Sequence, residues 1–550
     1  MQTDQHDCDV LIIGSGYAGT MLGAILARNG AKVVLVDAGS HPRFAIGEST
    51  IPHLLVRQQA LATRFDVPEI RELQDVKTVT AAMGSTHGVK LHATFQMAEE
   101  GAEPDPRKVI MAATPKNLYQ GPHLFRQDSD AYMHYVAIRY GAVSRQNWRV
   151  ADIDLGADAV TVTGQNGEVF RARYLVDASG FRSPLADKLD LREKPSRFKH
   201  HSRSIFTHMI DVKRWDDVCG IDPAKRQPLP WYKGTMHHVF DRGWFWVIPF
   251  NNYEQSCNPV VSVGLTLDER TYPKPDGMSA EEEFMHYVNK FPAVARQFEG
   301  ARAIREWTST GRIQYSSKQS IGHRWCLMSH AAGFIDPLYS RGLSNTAEVI
   351  DALSGRLLAA LEDDDFSDER FRYVEELEQG LLSYNDDLVN CSYIAFSNFR
   401  LFDAVFRIWG ISSNYGSMRL TRAELNYKLG DKNAFTDLEK APNTGFWWPD
   451  DDEMKRMWDI MVETCEKYEV GELDGDDAAE RLFRLIEQSP VPPPTFGYKD
   501  RDNQVIYPSN IALARFLNWA IRKGSPNVSE LASGLLRATI RARRQGKKVG

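Results

Sequence analysis

The sequence predicts an α/β fold: a Rossmann-like core, an inserted antiparallel β-sheet, and a helical C-terminal region. Three observations carry this. Cys8-Asp-Val-Leu-Ile-Ile13 is an apolar run of strand length, followed at once by Gly14-Ser-Gly16-Tyr-Ala-Gly19 and then by a second apolar run ending at Asp37. Strand-like stretches, including 203–265, occupy the middle of the chain. From about residue 376 onward the apolar spacing is mainly helical.

The first run reads as a strand buried on both faces. Residues 20–29 read as a helix, and Ala31-Lys-Val-Val-Leu-Val36 as the next strand. Gly14 permits the tight turn, Gly16 lets backbone approach a pyrophosphate, and Gly19 lets helix and strand pack closely. A pyrophosphate can then sit on the helix N-terminus. Asp37, 23 residues after Gly14, is placed to hold ribose hydroxyls. Strand, glycines, helix, second strand and acidic residue agree on a Rossmann-like, dinucleotide-binding unit.

At 550 residues the chain is long enough for two or three structural units. A net charge of −7 leaves no basic excess to neutralise phosphates, which argues against nucleic acid as a partner. The basic tail (Arg537, Arg541, Arg543, Arg544, Lys547, Lys548) reads as cations at the C-terminus of a last helix. The six cysteines are scattered without a CxxC pair, as expected of reduced thiols in a cytoplasmic protein. The N-terminus has no signal-like segment, and no run approaches the ~18 apolar residues needed to span a bilayer, so no membrane role is expected.

Later segments point to flavin. Tyr174-Leu-Val-Asp177-Ala-Ser-Gly180 resembles the second FAD-contacting strand of glutathione-reductase-like and aromatic-hydroxylase-like flavoproteins. Arg126 resembles their flavin-contacting arginine; the plainer reading is a surface salt bridge to Asp128 or Asp130. Trp325-Cys-Leu-Met-Ser-His330-Ala-Ala-Gly-Phe-Ile-Asp336-Pro337 resembles their third FAD segment. Ser329-His330 stands where relatives carry Gly-Asp, so His330 is a candidate for the ribityl contact.

Two further motifs indicate what the flavin is used for. Trp244-Phe-Trp246-Val-Ile248-Pro249 and Phe334-Ile-Asp-Pro337-Leu-Tyr-Ser340-Arg-Gly342 match the WxWxIP and Fx.Px.Sx.G signatures of flavin-dependent halogenases. The texture most resembles halogenases that chlorinate aminopyrrolnitrin-type arylpyrroles, on segments that include His41-Pro-Arg-Phe-Ala-Ile-Gly-Glu48-Ser49-Thr-Ile-Pro52, His201-Ser-Arg-Ser and Met236-His-His-Val-Phe. The resemblance implies a cofactor site at Gly14, Gly16, Gly19, Asp37, Glu48, Ser49, Arg126, Asp177, Gly180, His330, Asp336, Pro337 and Gly342. It implies FAD used as FADH2 from a separate flavin reductase, O2 and chloride or bromide as co-substrates, and a small aromatic substrate. Halide is expected on the Ser340–Gly342 backbone, where a helix start leaves amides free, with Arg341 as an aid.

Trp244 and Trp246, two apart on a strand, face the same way and in the resemblance wall flavin off from substrate. Lys90, on an expected strand, is the candidate for receiving hypohalous acid; Lys77 is its rival. Tyr339 stands where tryptophan halogenases carry a glutamate, which argues against free tryptophan as substrate. The catalytic set is therefore Lys90, Trp244, Trp246 and Ser340. No metal is expected, because adjacent histidines in His200-His201 and His237-His238 would point to opposite faces of a strand. An aromatic hydroxylase on the same scaffold, or an idle flavoprotein, are the rival functions.

The expected organisation is a core over residues 1–375. Its FAD segments lie near 8–80, 115–185 and 320–375, and its substrate sheet near 85–114 and 200–315. A helical region, 376–550, covers the substrate side. Within it Phe446-Trp-Trp-Pro449 reads as a packed boundary and Ser489-Pro-Val-Pro-Pro-Pro494 as a stiff connector.

Overall fold

The computed structural model describes residues 5–114, 120–506 and 510–546. Lys547 and Lys548 of the basic tail lie outside the described residues. Arg541, Arg543 and Arg544 fall in the last turn of the helix Pro526–Arg544, where cations complement the helix dipole.

The strands Trp325–Leu327, Val169–Asp177, Gln5–Ile13, Val33–Val36 and Val143–Arg145 lie side by side in that order, all parallel. The strand Val33–Val36 is buried throughout, as a sheet covered on both faces requires. The helix Tyr17–Arg28 starts directly at Gly16, three residues before the position its apolar spacing suggested. Its inner side chains Met21, Leu22, Ile25 and Leu26 join the core beneath the sheet.

A second, nine-stranded sheet runs Arg302–Ala303, Ser202–Ile210, Val261–Asp268, Gly243–Pro249, Thr235–Phe240, His92–Met97, Val109–Ala113, Val505–Ile506, with Thr308–Arg312 on Ser202–Ile210. It is antiparallel except at two places: Thr235–Phe240 runs parallel to His92–Met97, and Val505–Ile506 parallel to Val109–Ala113. The second pairing brings a strand from the far C-terminus into the sheet, which no local pattern announces. Gly88–Lys90 is not part of this sheet. It forms a separate two-stranded ribbon with Gly121–His123.

The division expected near residue 375 falls inside the helix Asp368–Ala395. Phe371, Val374, Leu377 and Leu381 of that helix pack into the core under the parallel sheet, whereas Leu388, Val389, Tyr393 and Ile394 pack into the C-terminal core. One helix thus ties the two regions. The helices Phe399–Lys428, Asp452–Glu469, Gly475–Gln488 and Pro526–Arg544 complete the C-terminal layer. Phe446, Trp447 and Trp448 are buried in it, with Trp447 edge-on to Trp458, consistent with a packed boundary.

Candidate active site

Gly14 sits at a positive φ of 100°, and a Cβ there would meet the Ala178 carbonyl oxygen at 2.7 Å. A Cβ on Gly19 would lie 1.9 Å from the Gly14 carbonyl oxygen. Only glycine permits both contacts. A Cβ on Gly16 would meet nothing nearer than an Arg43 nitrogen at 3.9 Å, so backbone there is open to a ligand. Asp37 accepts from Ser15 N–H at 2.7 Å, from the Ser15 hydroxyl at 2.9 Å, and from Gly39 N–H and Arg43. Burial alone would raise its carboxyl, but Arg43 and these amides outweigh burial and hold it at about 2. It is a fixed carboxylate at the tip of the second strand.

A cavity of about 580 Å³ opens between the parallel core and the second sheet. Glu48, Ser49, Arg126, Gly180, His330, Asp336, Pro337, Ser340 and Gly342 line it, together with Trp244 and Trp246. Eleven site residues expected from five separate stretches of sequence thus meet around one space. Arg126 lines the cavity: it donates to the Ile46 and Gly47 carbonyls at 2.9 and 3.0 Å and forms a two-pronged pair with Asp130 at 2.8 Å that is buried, not on the surface. Glu48 is locked by His208 at 2.7 Å and Ser262 at 2.9 Å.

Some expected residues are placed differently. Asp177 does not line the cavity; its carboxylate accepts from Ser179, Ser183 and the Leu185 amide and so ties the turn that presents Gly180. Asp336 lines the cavity, yet its oxygens are taken up by Ser202 at 2.8 Å, Tyr393 at 3.1 Å and the Leu338 amide at 3.0 Å. It fixes the turn before Ser340. The Arg341 guanidinium lies over the Trp447 ring, 4.6 Å from its centroid, and donates to Asn345. It lines neither this cavity nor the next one, so halide would meet backbone there rather than this charge. Ser340 N–H already donates to the Pro337 carbonyl at 2.9 Å, which moves the free donors to the start of the helix Gly342–Asp363. No side chain caps that start.

Glu378 was not visible as a site residue in the sequence. It accepts from the Ser329 amide, lines the cavity, and its second oxygen has no partner among the described residues. Burial raises its carboxyl well above the usual range. It supplies an acid beside Ser329-His330, the place where the sequence lacks an aspartate.

Trp244 and Trp246 point to one face with ring centroids 5.6 Å apart, and Trp244 Nε1 donates to Tyr393 at 2.8 Å. Gly264 on the neighbouring strand leaves the space Trp246 fills; a Cβ there would lie 2.1 Å from its ring. A second cavity of about 300 Å³ is lined by Lys90, Phe95, Phe406, Trp409, Tyr339 and Glu424 among others, and by neither Trp244 nor Trp246. Among the described residues, His237 and Ser340 line both cavities.

Lys90 is buried and donates to Ser49 Oγ at 2.5 Å, and Ser49 bonds Thr235 at 2.8 Å. Among the described residues it has no carboxylate partner. Burial lowers its ammonium from 10.5 to about 7. His92, His123 and His237 surround it and stay neutral, pushed by burial to about 4, 3 and 3. Lys77 lies on the separate helix Val76–Met83 and lines neither cavity. The Tyr339 hydroxyl bonds Ser392 at 2.7 Å, and burial holds it far above the range in which it would act as a base. The histidine pairs do face opposite ways. His237 bonds the Thr94 carbonyl, whereas His238 bonds Gln297. Likewise His200 reaches Asp336 and His201 reaches Glu269.

A glycine cradle at the tip of a parallel sheet, opening toward a deep cavity, marks a flavoprotein, and the comparisons with known proteins make it a flavin-dependent halogenase. The chain belongs to the tryptophan halogenase family, whose model matches residues 88–395, and an FAD binding domain matches residues 7–44. It is 49% identical to tetracycline 7-halogenase of Kitasatospora aureofaciens over 95% of this chain and 94% of that protein. It is 43% identical to monodechloroaminopyrrolnitrin halogenase PrnC of Pseudomonas fluorescens over 90% of this chain and 87% of that one. Among solved structures it resembles halogenase PltM in complex with phloroglucinol and FAD, with a TM-score of 0.86, 34% identity, and coverage of 91% of this chain and 99% of that one. The glycine cradle and the cavity fit FAD. When bound, FADH2 would supply two of the electrons that reduce O2, and the halide would give up the other two as it is oxidised. Among the described residues no helix is long and apolar enough to cross a membrane.

Proposed function

We propose that the chain halogenates an arylpyrrole-type ring, using chloride and also bromide, with FADH2 drawn from a separate flavin reductase in the cytoplasm. The observation that carries this reading is a lysine opening into a small aromatic-lined cavity that is set apart from the flavin cavity. About 300 Å³ is at the small end of ligand pockets, suited to a substrate of about two rings. Phe95, Phe406, Trp409 and Tyr498 offer flat apolar faces for an electron-rich ring, and Asn414 and Ser413 offer hydrogen bonds at the edge.

In this reading halide rests at the helix start from Gly342, and Lys90 receives the hypohalous acid. With its pKa near 7, about half of Lys90 is free amine at neutral pH. The amine lone pair takes the halogen from HO–X, forming N–X and releasing water with the amine's proton. The ring's π electrons then form the C–X bond, and the N–X pair returns to nitrogen. The ring proton passes to that nitrogen and restores the amine. Lys90 thus accepts the proton itself, which accounts for a site with a tyrosine in place of the family glutamate.

A second reading has support of its own. The 49% identical relative acts on tetracycline, and Gln59, Glu424 and Thr421 give this cavity a polar end. A polycyclic phenol is therefore the alternative substrate. The test is competition between arylpyrroles and polycyclic phenols at equal concentration, read by mass spectrometry with chloride and with bromide. Preferential halogenation of the arylpyrrole supports the first reading. Halogenation of the polycyclic phenol alone overturns it.

A further inference from the structure

We propose that His237 is the acceptor that passes hypohalous acid from the flavin cavity to Lys90 while keeping halide on the flavin side. The inference rests on the reading of Lys90 given above.

The strand Thr235–Phe240 places alternate side chains on opposite faces, and Thr235 and His237 share the face turned to the flavin cavity. His237 also lines the substrate cavity, and so stands in the partition between the two. Its ring is held on three sides. It stacks on Phe95 with centroids 4.1 Å apart and planes 6° from parallel, Trp244 lies 5.4 Å away, and Nδ1 is 3.0 Å from the Thr94 carbonyl oxygen.

That last contact fixes the tautomer. A carbonyl only accepts, so Nδ1 must carry the hydrogen and Nε2 must present a lone pair. Among the described residues Nε2 has no hydrogen-bond partner. Burial first, and then the charge of Lys90, outweigh the Thr94 bond and keep the ring neutral.

A neutral ring with Nε2 as acceptor sorts the two species that meet there. A halide ion is itself an acceptor and carries negative charge, so the lone pair repels it. Hypohalous acid has an O–H to donate, so the same lone pair binds it. No bond is made or broken at the ring; the acid transfers from Nε2 to the amine of Lys90. Ser49 and Thr235, which line the flavin cavity and hold Lys90 through Ser49, form the polar floor of the same passage.

Two substitutions separate this role from a structural one. The amide of His237→Asn reaches only the Nδ1 position, so it keeps the Thr94 bond and removes the acceptor. The amide of His237→Gln reaches the Nε2 position, so it keeps an acceptor and gives up the Thr94 bond. Each holoenzyme is supplied with FADH2, O2 and bromide. Halogenated substrate is counted against hypobromous acid captured in solution by an added phenol too large for the cavity, and FAD affinity is measured by fluorescence.

The expected result is that His237→Asn cuts substrate halogenation about tenfold, with captured hypobromous acid rising to match and FAD affinity changed less than about twofold. His237→Gln should recover most of the loss. Normal halogenation by His237→Asn with loss in His237→Gln would overturn the proposal, because that order follows from structural support of Thr94 alone. Lys90→Met serves as the separate control. If it still halogenates substrate, the Lys90 reading fails, whereas the partition measured in the His237 variants still decides the passage.

Discussion

Lys90 sits buried as a lone amine, and the fold should be measurably less stable for it. The perturbation is Lys90→Met, which keeps the unbranched shape and removes the charge. Lowering the pKa from 10.5 to about 7 corresponds to roughly 5 kcal/mol of unfavourable burial of the ammonium. The variant also loses the bond to Ser49, worth on the order of 1 kcal/mol. The net expectation is a variant more stable than the parent by about 4 kcal/mol at pH 7 and below.

The pH dependence has a definite sign. Between pH 7 and 10.5 the unfolded chain holds a proton on this lysine that the native chain does not. The parent therefore gains stability as pH rises through that window, and its deficit shrinks by about 1.4 kcal/mol per pH unit. The penalty is complete below pH 7. The assay is calorimetric unfolding of both proteins, saturated with FAD, at pH 6.5 and 9.5. The variant should melt at the higher temperature at pH 6.5, by a margin that narrows or reverses at pH 9.5. A margin independent of pH, or a variant that melts lower at pH 6.5, would refute the argument that this amine is buried without compensation.

Three further outcomes follow from the same geometry. If free amine is required, single-turnover halogenation should rise about tenfold from pH 6 to pH 8 and then level off, as the neutral fraction of Lys90 does; a flat profile in stopped-flow quench experiments contradicts this. Gly19→Ala sets a methyl against the Gly14 carbonyl and should yield protein that folds but no longer retains FAD through gel filtration, read from flavin absorbance. Gly264→Ala forces Trp246 from its place, costing on the order of 1–3 kcal/mol, and should weaken FAD binding in fluorescence titration, since that ring lines the flavin cavity.

The elements most legible in the sequence were those whose chemistry is local. The βαβ unit, with Gly14, Gly16, Gly19 and Asp37, is written in consecutive residues, and the tryptophan pair declares its common face by spacing of two. Lys90 could be named only through family resemblance, because nothing local distinguishes a buried lysine on a ribbon from a solvated edge lysine. Its depressed pKa comes from burial, and the groups around it, Ser49, Thr235 and three histidines, converge from distant parts of the chain. Asp177 and Asp336 carry flavoprotein signatures, yet here their oxygens serve the turns beside the cofactor; a motif identifies the turn but not which way the carboxylate faces. Arg341 was drawn away by Trp447, some hundred residues on. For the same reason Glu378 was not legible as a site residue, and His237 was legible only as a strand histidine facing away from His238. Each matters through what distant parts of the chain bring beside it, and the helix Asp368–Ala395 that carries Glu378 crosses the boundary drawn from helical spacing.

The most direct test of the account compares the parent chain with Lys90→Ala, each supplied with FADH2, O2, chloride and an arylpyrrole, and read by mass spectrometry. The account predicts a product with the chlorine isotope pattern from the parent. From Lys90→Ala it predicts none, with O2 consumption and FAD binding intact. Chlorinated product at parental levels from Lys90→Ala would contradict it.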